Sequence, residues 1–413
     1  MPQKILARQT DRAAVELPPE PAGIPLFWHA NQKIAFVRPR PYPPANEVMA
    51  QMMKKSYPDC EVEVIEVYDR IKRRKDVVLI NLFHVFKEYG PDILAGKKSF
   101  KHAFWRTRYI FKAIKTMMAG LLSHGGYRFS FQMQSLFDAS VDGVPHFLYT
   151  DHTHLENLYY PGYDRAKLFA RPWVELEKTI YQNTAINFTR SANISRSLVE
   201  QYNCPDNKIV CVRAGSNVDT GNIHKDGDSY ARKNILFVGI DWNRKGGPDL
   251  VEAFKLVLQA HPDARLTIVG CKPEIDLPNC DIVGRLPLGE IGKYYEQASV
   301  FCLPTTLEPF GIVFIEALSH KLPVVATNIG AIPDCVVEGE NGYLVTPRDV
   351  KRLAEKLIEL LGEPEKCRAF GEKGYQLVME KYTWDNVIGT IKHHIGEVLD
   401  QAHSANRPHK ESL

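Results

Sequence analysis

From Asn234 onward the chain alternates short apolar runs with amphipathic stretches, and this alternation most narrows what it can fold into. The runs begin at Asn234 (Asn-Ile-Leu-Phe-Val-Gly) and near Arg265, Cys280, Val300, Leu322 and Tyr343. Helical stretches separate them. Strand, helix, strand in regular succession predicts a parallel sheet with helices on both faces. The 413 residues are long enough for a second domain of ordinary size.

One beat of this pattern carries chemistry. Ser299–Pro304 reads as a buried strand, and Glu308-Pro309-Phe310-Gly311-Ile312-Val313-Phe314-Ile315-Glu316 follows. The helix that starts near Gly311 runs on through Ala317–His320 until Pro323 stops it. Glu308 then lies on a loop and Glu316 on the second helical turn. The N–H groups of Gly311, Ile312 and Val313 are free at the helix start and form a site for an anion. Two acids around an anion site are consistent if the ligand is a sugar nucleotide. Its diphosphate meets the helix end, and its hydroxyls donate to the carboxylates. The bland alternative is a loop acid and a solvated helix acid.

A second loop has matching chemistry. After the strand ending in Val238-Gly239 comes Ile240-Asp241-Trp242-Asn243-Arg244-Lys245-Gly246-Gly247-Pro248. Pro248 suits the first turn of a helix whose buried stripe is Leu250, Phe254 and Val257. Arg244 and Lys245 therefore sit on a glycine-flanked loop at a strand's carboxyl end.

The spacing Glu308-(seven residues)-Glu316 with Pro309-Phe310-Gly311 resembles the signature of family 4 of the retaining glycosyltransferases, which have the GT-B fold. The resemblance is strong over 234–385 and weaker before. It implies an α/β chain with two Rossmann-like domains facing a central cleft. The domains expected are 1–220 for the acceptor and 233–384 for the nucleotide sugar. A helix at 385–402, entered through Thr383-Trp384-Asp385, returns to the first domain, and 403–413 is a disordered tail. The resemblance gives Glu308 the donor sugar, Glu316 the ribose, and Lys245 with Arg244 the diphosphate. Gly239, Phe310, Gly311, Ile312 and Val313 complete the donor site, and Arg285 lies where the base is held. The family's usual Arg directly after the strand's Gly is replaced by Ile240, and Arg244 is its substitute. The first strand's turn, Arg38-Pro39-Arg40-Pro41, has no glycine, so its cations either assist the phosphate or are solvated.

The first half is read through Lys33–Val37, Glu61–Val67, Phe129–Met133 and Pro145–Thr150 as strands, with Asp76–Asn81 as a further candidate. Pro145–Thr150 ends in Asp151-His152-Thr153-His154. Polar groups at a strand's carboxyl end are where open sheets bind ligands. The resemblance implies a reaction-centre role for His152, with His154 second; a pair of structural histidines is the alternative. No third metal ligand is evident, and no metal or separate cofactor is expected beyond the donor. Asp226-Gly227-Asp228 reads as a solvated loop within a polar linker at 220–232.

No Asp or Glu occurs from Ile93 to Phe137, and residues 97–115 read as a basic amphipathic helix with Trp105 exposed among its cations. Such a helix can lie on an anionic membrane surface; an ordinary surface helix is the alternative. A net charge of +3 gives no argument for nucleic acid. Eight cysteines form no CxxC, there is no membrane-spanning run, and the first residues lack a signal-peptide core. These point to a cytoplasmic protein, with peripheral docking on the inner membrane face left open. The function expected is a retaining glycosyltransferase acting on a glycan or lipid. The alternative is an inactive sugar-nucleotide-binding or scaffold protein on the same fold.

Overall fold

The computed structural model describes residues 32–405 except 125, 170, 217–222, 224 and 226. Phe27-Trp28, Asp226 and the chain beyond 405 lie outside the described residues.

Two six-stranded sheets organise the chain. The first comprises β1 (Gln32–Arg38), β2 (Cys60–Glu66), β3 (Tyr127–Met133), β4 (His146–Thr150), β5 (Ile186–Thr189) and β6 (Ile209–Cys211), in the order β2-β1-β3-β4-β5-β6. The second comprises β7 (Asn234–Val238), β8 (Arg265–Val269), β9 (Cys280–Gly284), β10 (Val300–Leu303), β11 (Val324–Thr327) and β12 (Gly342–Val345), in the order β12-β11-β10-β7-β8-β9. All pairings are parallel. β4, β5, β10 and β11 are buried at every residue; β10 (Val-Phe-Cys-Leu) accordingly reads as an unbroken apolar run, whereas β5 (Ile-Asn-Phe-Thr) alternates although both its faces are covered. In the second sheet the strand order reverses between β7 and β10. The crevice outside their carboxyl ends is where such sheets take ligands.

Three expectations for the first half are corrected. Asp76–Asn81 is not a strand but lies in the Lys75–Leu94 helix. Its buried residues are Val77, Asn81, Val85, Tyr89 and Gly90. The first four recur every fourth residue while Leu79, Phe83 and Lys87 between them are exposed, which puts them on one helical face and not on one face of a strand. Asn81 fixes the packing by donating to the Phe104 carbonyl at 2.8 Å and accepting from the Thr107 hydroxyl.

The helix expected over 97–115 is broken into Phe100–Phe104 and Arg108–Leu122. Thr107 caps the second piece, accepting from Ile110 N–H at 3.1 Å. Trp105 is not exposed: it stacks on Tyr68 with centroids 3.7 Å apart. Lys115 is held by Asp138 at 2.8 Å, and Lys98 is buried.

Arg38 is neither solvated nor aimed at a phosphate. It is buried between Glu47 and Glu66, each at 2.7 Å.

Ahead of residue 233, within Gly227–Arg232, Tyr230 is buried in the core around the second sheet and donates to the Lys321 carbonyl at 2.8 Å. The last helix, Trp384–Ala405, continues past residue 403. Its Val387, Ile391, Ile395 and Leu399 are buried in the core of the first sheet, and Trp384 donates to the Ser216 carbonyl at 2.8 Å.

Candidate functional site

At the carboxyl ends of β7 and β10 two loops are stitched together. The Arg244 carbonyl accepts from Thr306 N–H at 2.9 Å and the Thr305 hydroxyl at 3.0 Å. Gly246, at φ 77°, starts the Gly247–Ala260 helix, and a Cβ there would lie 1.9 Å from the Pro304 carbonyl oxygen. Only glycine permits this approach.

The consequence is an ion pair. The Lys245 ammonium meets the Glu308 carboxylate, and both side chains are buried. Arg244 braces the same junction: its Nη1 donates to the Leu307 carbonyl at 2.6 Å and its Nε lies 3.4 Å from Asp241.

Beyond Glu308, Gly311 at φ 79° is the cap residue of the Ile312–Ser319 helix. A Cβ there would meet Phe314 at 2.5 Å and Glu308 Cγ at 3.0 Å. Phe310 is buried beneath this turn, and Ile312 and Val313 form the first helical positions. Glu316 is buried and accepts from the Tyr295 hydroxyl at 3.0 Å. Burial raises its carboxyl to about 7, and the Tyr295 hydrogen bond opposes that only in part. Gly239 sits under Lys245, donating its N–H to the Val269 carbonyl at 2.9 Å. Arg285 is exposed on the loop after β9. Ile240 is 61% exposed where the cation was expected.

From the first domain, the loop after β4 brings in His152. Its Nδ1 lies 3.0 Å from Glu156, and its Nε2 lies 3.0 Å from the Asn157 amide nitrogen. That amide also donates to the His154 carbonyl at 2.9 Å. The neutral His152 ring therefore carries its proton on Nδ1 and accepts at Nε2. Burial disfavours its imidazolium, but Glu156, with Asp151 and Glu177 behind it, outweighs this and the net shift is upward. His154 is a structural histidine: Nε2 accepts from Phe169 N–H at 2.7 Å, and burial, then Arg106, lowers it to about 3.

Glu156 joins the two halves of the chain. It accepts from Tyr160 at 2.7 Å and Asn193 at 2.5 Å. The Tyr160 ring packs into the core of the second domain. There a Cβ on Gly330 would meet both the Tyr160 hydroxyl and the Glu308 carbonyl oxygen. A chain of contacts thus leads from His152 through Glu156 and Tyr160 to the Glu308 loop. Sequence reasoning missed Glu156, Asn157, Tyr160 and Tyr295. Only Glu156, four residues after His152, carried a spacing signal. Among the described residues one trio, His393, His394 and Glu397, is close enough to share a metal ion. It lies on the last helix, apart from this site.

Residues 220–377 match the family model described as Glycosyl transferases group 1. The chain is 28% identical over 252 residues to the sulfoquinovosyl transferase of Arabidopsis thaliana, covering 56% of this chain and 48% of that one. It is 33% identical over 158 residues to a GDP-mannose-dependent phosphatidylinositol monomannoside mannosyltransferase of Corynebacterium glutamicum, covering 34% and 41%. The chain spans about half the length of the curated relatives it matches. Among solved structures, sucrose-phosphate synthase from Thermosynechococcus elongatus superposes with a TM-score of 0.62 at 17% identity, covering 91% of this chain and 100% of that one. Anabaena HepE in complex with UDP and glucose gives 0.59 at 13% identity, covering 88% and 99%. The fold is GT-B, two Rossmann-like domains in one chain. No helix among the described residues is long and apolar enough to cross a membrane.

Proposed function

We propose that the protein is a retaining glycosyltransferase that moves a sugar from a nucleoside diphosphate sugar to a glycan or lipid hydroxyl. The observation that carries this reading is the buried Lys245–Glu308 pair at the β7/β10 switch point, beside the glycine-capped helix start. A diphosphate entering there competes with Glu308 for the ammonium, while the sugar's hydroxyls donate to the carboxylate. As the bond from the anomeric carbon to the diphosphate breaks, Lys245, the Ile312 and Val313 N–H groups and Arg244 face the charge that builds on the leaving oxygen. The acceptor oxygen bonds to the anomeric carbon on the face the diphosphate leaves, and its proton departs with the nucleoside diphosphate. Glu316 holds the ribose, Arg285 faces the base, and His152 lies at the reaction centre. No metal or further cofactor takes part. The Anabaena HepE structure, which shares this fold, is a complex with UDP and glucose, and this accords with a nucleotide-sugar donor.

The lipid branch of this reading draws on a surface. The Lys75–Leu94 helix leaves Leu79, Ile80, Phe83 and Phe86 about half exposed or more, and Phe100 lies beside Phe86 at 6.1 Å. Exposed Lys72, Lys75, Lys87, Lys97 and Lys101 accompany this face. An apolar face with lysines around it suits an anionic lipid surface, and it replaces 97–115 as the docking segment. The competing reading, a binding protein without turnover, draws on Ile240 in place of the family's cation.

Hydrolysis and binding across UDP-, GDP- and ADP-sugars, with a membrane-lipid extract as acceptor, tests the proposal. Turnover of one donor is the expected result. Binding without turnover favours the binding protein, and no binding at all refutes the site.

A further inference from the structure

A cavity of about 290 Å³ opens in the first domain beside His152, walled by Lys97, Lys98, His102, Arg106 and Lys167. No carboxylate lines it. Arg106 is the telling member. Its guanidinium is pressed over the Phe169 ring at 4.7 Å and the Trp173 ring at 5.4 Å. Its Nε is buried with no hydrogen-bond partner, and its Nη1 reaches only the His102 carbonyl at 3.2 Å. Glu177, an acid whose field reaches it, is held by the His154 N–H and the Tyr181 and Tyr202 hydroxyls. Lys98 donates to the Ala166 carbonyl at 2.8 Å and lies 3.7 Å from Asp92. Four cations thus gather around space that one peripheral carboxylate does not neutralise. The Arg106 side chain is half-buried, and its buried Nε–H without a partner is costly; an arginine fork matches a phosphate bidentately. A second cavity, of about 120 Å³, shares Arg106, His152 and His154 and reaches Gln134 and Asp151 at the ends of β3 and β4.

We propose that this cavity is the acceptor subsite for a phosphate-bearing acceptor, with the phosphate against Arg106, Lys97, Lys98 and Lys167 and the hydroxyl to be glycosylated directed toward His152. The proposal rests on the glycosyltransferase reading for the hydroxyl and on the cavity alone for the phosphate. The phosphate belongs either to a soluble ester or to a lipid headgroup.

The test is calorimetric titration of the full chain with glycerol 3-phosphate and with inorganic phosphate. Glycerol 3-phosphate is expected to bind the more tightly. Arg106→Gln should weaken it about tenfold or more. Lys97→Gln/Lys167→Gln, at exposed positions that the fold tolerates, should weaken it severalfold and keeps the test standing if Arg106→Gln fails to fold. Equal affinity in wild type and the cavity variants overturns the proposal. Equal affinity for inorganic phosphate and the ester overturns the acceptor assignment. Competition by phosphatidic acid vesicles, absent with phosphatidylcholine, supports a lipid source; failure of both to compete supports a soluble one. No donor enters the titration, so failed donor turnover would sink the glycosyltransferase reading and leave the phosphate site intact.

Discussion

Lys245 and Glu308, 63 residues apart in sequence, form one buried ion pair where the loops after β7 and β10 meet. Neither charge is stable there alone. The pair therefore does two things at once: it holds the two loops together and stores a cation at the crevice outside the carboxyl ends of β7 and β10.

Lys245→Ala is expected to lower donor turnover by roughly 10²–10³ and to destabilise the fold by about 3 kcal/mol through the orphaned Glu308. Lys245→Met/Glu308→Gln, which removes both charges, should recover most of the stability and none of the turnover. Urea unfolding and donor hydrolysis on the same preparations separate the effects. Recovery of turnover in the double variant would contradict the assigned role of Lys245.

Glu316 should make both stability and donor affinity depend on pH. Burial raises its carboxyl from 4.5 to about 7 in the folded chain. The folded state therefore binds the proton more tightly than the unfolded one. This contribution is full below 4.5 and is lost as pH rises through about 7. Glu316→Gln should accordingly gain thermal stability over wild type between about pH 5 and 8. A ribose donating to the carboxylate favours its ionised form, so donor affinity should rise through the same window. That rise should vanish in Glu316→Gln, as measured by nucleotide titration at several pH values.

Glu156→Gln isolates what sustains the upward shift of His152. With the carboxylate gone, its raising effect is lost and the imidazole should titrate lower than in the wild type. Proton NMR of the ring resolves the direction. An unchanged titration would place the governing charge elsewhere, at Asp151 or Glu177.

Phe83→Ser/Phe86→Ser should reduce co-sedimentation with anionic vesicles while leaving the melting temperature nearly unchanged, because both rings are more than half exposed. Equal sedimentation with the wild type would remove the lipid surface from the proposed function.

Much of the second domain was readable from the sequence. Its central strands β10 and β11 are buried at every residue, so they are apolar runs that local pattern reveals, and its loops carry glycines where backbone geometry demands them. Gly246 and Gly311 both adopt positive φ at helix starts, and the acids and cations of the site sit next to them in sequence. The first domain was harder. Asp76–Asn81 is β-branched and apolar enough to pass for a strand, and its helical period emerges only over the full run to Tyr89. The basic run 97–115 hid its break, because Thr107 caps a helix only through contact with Asn81 and Ile110.

The sequence by itself determined the alternation that builds a parallel sheet, the Glu308–Glu316 spacing and the cation loop at Lys245. Each is a local pattern, set by residues close together in the chain. Tertiary structure alone decided which charges neutralise each other: Arg38 with Glu47 and Glu66, and Lys245 with Glu308. Coulomb energy and desolvation depend on distance and burial in space, and neither quantity is written in the order of the residues.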